Sequence, residues 1–107
     1  MASAVDDVKN HRLHHEMQHK IVEINRVHIT EIAGDIKRGN FMECAELVAR
    51  LRGEYLAAVL RLAGDKSATS AQAALRLRDL REAYTEAREG FSAVEHALKR
   101  GYFDLRD

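Results

Sequence analysis

Proline is absent from all 107 residues, and the apolar period is interrupted in two places only, at 38–40 and 64–69. A β-sandwich or barrel needs Pro/Gly-punctuated turns between β-branched runs. A proline-free chain rich in Ala, Leu, Arg and Glu has nothing to stop long helices. The two interruptions predict three of them, over about 4–38, 41–63 and 70–100.

The first segment carries Leu13, Met17, Ile21, Ile24, Ile32 and Ile36 at helical spacing, widened by Val22 and Ile29. Ser3 with Asp6 suits its start, and Lys37, Arg38 and Gly39 suit its end. Gly34 costs a helix interior about 1 kcal/mol against Ala, so Ala33 is an alternative end. Asn40 with Glu43 caps the second segment. One face there holds Phe41, Cys44, Leu47, Val48, Leu51, Tyr55, Ala58, Val59 and Leu62. A second apolar face holds Met42, Ala45, Ala49, Gly53, Leu56 and Leu60. Thr69 with Gln72 caps the third segment. Its series Ala73, Leu77, Leu80, Tyr84, Ala87, Phe91, Val94 and Leu98 alternates steps of four and three, which is a heptad seam. Arg78/Glu82 and Glu95/Lys99 stand four apart as candidate ion pairs. A short tail from Gly101 folds back over one end.

Short connections make consecutive helices antiparallel neighbours. The expectation is an all-α, up-down-up three-helix bundle with coiled-coil-like packing, one domain over 1–107, dimeric if the second face of helix two meets another copy. The register places His28 beside Leu51, and Leu51 beside Ala83. His14 and His28 project toward the apolar stripe and are read as core residues.

Five of six histidines fall between residues 11 and 28. His11, His15 and His19 are four apart and Glu23 continues the ridge, so these side chains share one flank of a helix. Imidazoles at that spacing can share a transition metal. A di-iron bundle would need a second Glu-x-x-His beside Glu16/His19 and two further inward Glu residues. Glu16 lies about 100° around the helix from the apolar stripe, which leaves a solvated flank as the simpler reading.

Other classes lack their signatures. Seventeen Lys and Arg balance seventeen Asp and Glu, and Arg76, Arg78, Arg81 and Arg88 are interleaved with acids, so no electrostatic footprint for nucleic acid forms. No glycine-rich phosphate loop, nucleophile–base pair or cofactor motif is present, which argues against an enzyme. The single Cys44 sits among apolar residues and fits a reducing, cytoplasmic compartment. No apolar run spans a bilayer, and the N-terminus has no secretory h-region.

The expected function is therefore a small non-enzymatic helical interaction module, an adaptor, regulator or chaperone, that binds a partner helix or self-associates. Met42, Ala49, Gly53, Leu56 and Leu60 are its candidate contact residues. The alternative is a metal-binding or metal-sensing protein using His11, His15, His19 and Glu23. The plan of a helix, a Gly-Asn break, an Arg-rich amphipathic helix and a long heptad helix is similar in outline to small flagellar and type III secretion chaperones. That likeness spans most of the chain and implies protein binding through exposed helix faces.

Overall fold

The computed structural model describes residues 4–65 and 71–107. It is all-α, with α1 at Ala4–Ala33, α2 at Arg38–Gly64 and α3 at Ala71–Lys99. The capping expectations at Ser3 and Thr69 lie outside the described residues.

Of the two ends open to the first helix, at Arg38 or at Ala33, the structure takes Ala33. Gly34, not Gly39, takes the left-handed conformation, with φ +72°. Its N–H donates to the Thr30 carbonyl at 3.0 Å, the single bond that closes an αL helix end. Gly39 then lies in the first turn of α2, and the helix start moves back to Arg38, with Lys37 as the N-cap. Asn40 does not cap from outside. From the first turn its side-chain oxygen accepts the Lys37 N–H at 3.0 Å, as the third helical residue of a capping box does.

Two compact units are present. In Lys37–His96, α2 and α3 pack against each other. Phe41 meets Phe91 with ring centroids 5.1 Å apart, and Tyr55 stacks on Tyr84 at 6.2 Å. Numbers rise along one helix as they fall along the other, so the pair is antiparallel. The expected Leu51–Ala83 register agrees with this within one turn. Val48, 5% exposed, is the most buried residue of α2. All eight seam residues of α3 from Ala73 to Leu98 are half-buried. Glu46, Arg50, Glu54 and Arg61 are exposed, as a solvent side requires. Of the two expected ion pairs on α3, Arg78–Glu82 forms at 3.7 Å. Glu95 and Lys99 form none among the described residues.

The other unit joins α1 and its following turn, through Ile36, to Ala97–Arg106. Gly101, φ +78°, ends α3. Its N–H bonds the Leu98 carbonyl at 3.1 Å and the Tyr102 N–H bonds Ala97 at 2.9 Å, the paired bonds of a Schellman motif. The chain then doubles back along α1. Arg26 donates to the Gly101 carbonyl at 2.6 Å and to Asp104 at 2.7 Å. The Arg106 N–H donates to the Ile36 carbonyl at 2.9 Å, and its side chain pairs with Asp35 at 3.3 Å. Phe103, 8% exposed, is buried within this arrangement.

Of the expected core stripe of the first segment only Val22, Ile29 and Ile36 are half-buried. Leu13 is 57% exposed, Ile32 85%, and Met17, Ile21 and Ile24 are also open. His14 and His28 are exposed too, which corrects their reading as core residues. The half-buried positions are Gln18, Val22, Asn25, Arg26 and Ile29, a face roughly a quarter-turn around the helix. The physical reason is the tail: Arg26 fixes it to this flank.

Candidate interaction surface

α2 supplies the surface by being apolar on two sides. Its first side meets α3. On its second side Met42 is 64% exposed, Leu56 51% and Leu60 72%. Ala49 and Gly53 between them are also exposed, whereas Ala45 is half-buried. A Cβ added at Gly53 would meet nothing within 4 Å. All five candidate contact residues thus share one open strip of α2. Small side chains at its middle let another backbone approach closely.

One edge of the strip is cationic. Arg52 stands three residues after Ala49 and four before Leu56, so it borders both. Its Nε donates to the Tyr84 hydroxyl of α3 at 3.2 Å. Its guanidinium lies 5.4 Å from the centre of the Tyr84 ring, and Arg88 lies 5.4 Å from the same ring. The hydrogen bond from Arg52, and then the charges of both arginines, hold the Tyr84 hydroxyl below its usual ionisation range. Sequence reasoning missed this cluster. The i, i+4 spacing of Tyr84 and Arg88 was legible, but Arg52 joins them only through the α2–α3 register. The opposite edge carries Glu46 and Arg50, of mixed sign.

The histidine flank of α1 is separate. His11 and His15 lie with ring centroids 5.9 Å apart at 45°, and His19 Nε2 lies 3.2 Å from Glu23. These are two neighbouring pairs along the ridge. Among the described residues, no three His, Cys, Asp or Glu side chains converge as a metal-ligand set. Cys44 is half-buried and unbonded, and no described helix is long and apolar enough to cross a membrane.

Comparison with protein-family models finds no matching family, and comparison with curated proteins and with solved structures finds no significant match to either.

Proposed function

We propose that the chain is a non-enzymatic helical interaction module, an adaptor, regulator or chaperone, whose contact surface is the second face of α2. The observation that carries this reading is the exposure of Met42, Leu56 and Leu60 on a helix whose other apolar face is already occupied. Leucines held half or more in water contribute little to folding, and their contiguity suits a partner helix laid along them. Assembly of all three helices as one coiled-coil-like bundle, and self-association through the same strip, belong to this reading.

A photocrosslinking residue at Leu60, compared with one at Arg50 on the solvent side, tests it in the source cell. Crosslinked adducts should concentrate at position 60 and disappear when Leu56→Glu is added. Equal adducts at both positions, or a Leu56→Glu variant that unfolds, would refute the proposal, since unfolding would place this face in the chain's own core.

A further inference from the structure

We infer that the partner of this face is an amphipathic helix with a carboxylate row along one flank, supplied by a different protein. This rests on the interaction-module reading and adds the chemistry of the partner.

The argument is charge complementarity. The strip from Met42 to Leu60 accepts the apolar stripe of a helix. A helix lying there has one flank over Arg52, which continues across Tyr84 to Arg88. Arg81, one turn before Tyr84, is exposed and adds to that side. Among the described residues no carboxylate pairs with Arg52, Arg81 or Arg88. Arg26, Arg38, Arg78 and Arg106, by contrast, each pair with a carboxylate. Arg52 and Arg88 instead lie against the Tyr84 ring, which restricts their rotamers before any partner arrives. A planar guanidinium held on an aromatic face keeps its outer N–H groups free for a carboxylate. Preorganisation lowers the ordering cost that long side chains otherwise impose on binding. The other edge, with Glu46 and Arg50, carries no net sign, so only one flank of the partner is specified.

A second copy of the chain matches this poorly. The open stripe of α1 is flanked by Lys9, Arg12 and Lys20 along with Glu16 and Glu23, so it has no acidic row. The acidic row of α3, Asp79, Glu82, Glu86 and Glu89, has Leu75 as its one large apolar neighbour. No helix of the chain offers both an apolar stripe and a one-sided acidic flank.

The test is a displayed library of helical peptides with a fixed Leu/Ala stripe and with flank positions varied among Glu, Lys and Gln, selected on the full-length chain. Enriched clones should carry Glu on one flank only. On Arg52→Gln/Arg88→Gln the bias should vanish while binding persists, about fivefold weaker for the Glu clones at low salt and less so at high salt. Arg52→Lys/Arg88→Lys should retain part of the preference, because it keeps charge and loses the stacked fork. Clones that bind equally with neutral or basic flanks, yet are lost on Leu56→Glu/Leu60→Glu, would overturn the acidic partner and leave the docking face standing. Clones indifferent to Leu56→Glu/Leu60→Glu would overturn the docking face itself. A Leu56→Glu/Leu60→Glu variant that circular dichroism shows unfolded would overturn the docking face as well. A wild-type dimer in sedimentation that Leu60→Glu dissociates would assign the strip to a second copy and refute a separate partner.

Discussion

Replacing Phe103 with Ala measures how far the tail is part of the fold. The side chain is 8% exposed, so nearly all its apolar surface is removed from water. Phe→Ala at such a site costs about 3–5 kcal/mol, a large share of the roughly 5–15 kcal/mol that holds a domain. The loss has a ceiling, however. Phe103 belongs to the non-helical segment after Gly101, which can open locally while the helices remain. The measured loss therefore stops at the free energy of docking the tail. Two probes separate these cases. Urea denaturation reports the global loss. Amide exchange at Arg106 reports docking, because that N–H bonds the Ile36 carbonyl at 2.9 Å. The Gly101 and Tyr102 amides report the helix end, because they bond Leu98 and Ala97 within α3. Phe103→Ala should strip protection from Arg106 and leave Gly101 and Tyr102 protected. Phe103→Leu, which keeps most of the volume, should cost less than about 1.5 kcal/mol. An Arg106 amide that stays protected in Phe103→Ala, or a Leu variant as damaged as the Ala variant, would refute burial of Phe103 as the source of docking.

Glycine substitutions should split by backbone conformation in urea titrations: Gly101→Ala, at φ +78°, loses about 1–2 kcal/mol, whereas Gly53→Ala, in open helical space, gains about 1 kcal/mol. Asp104 is held below its usual 3.8, first by the Arg26 hydrogen bond and then by its charge, with burial opposing. The depressed folded value means that this fastening is fully present above 3.8 and is lost as pH falls through the lower folded value. Phe103 ring resonances followed from about pH 5 to pH 2 should show that loss, and Arg26→Gln should remove its pH dependence. Stoichiometric Zn added to untagged protein should leave the melting temperature unchanged. A reproducible content of one Zn per chain or per two chains, abolished by His15→Ala/His19→Ala, would establish the histidine ridge as a metal site.

Much of the α2–α3 pair was legible because its determinants are local. A step of four and three repeated from Ala73 to Leu98 turns the eight side chains of the series to one side, whatever lies opposite, and the structure half-buries all eight. Antiparallel pairing followed from a short connection, and Gly101 marked an end that only a residue without Cβ completes at low cost. The strip from Met42 to Leu60 was legible as apolar. That it stays open was decided by which side of α2 met α3. The break at Gly34 could not be separated from one at Gly39, since both glycines reach the left-handed region and the choice rests on Asn40 closing the next helix from inside its first turn. The sequence by itself determined three helices and the faces each could bury. Tertiary structure alone decided which face of α1 is covered and which arginines gather at Tyr84. Periodicity fixes the direction a side chain points, but burial and ion pairing depend on what arrives there from a distant part of the chain, as Asp104 reaches Arg26 and Tyr84 reaches Arg52.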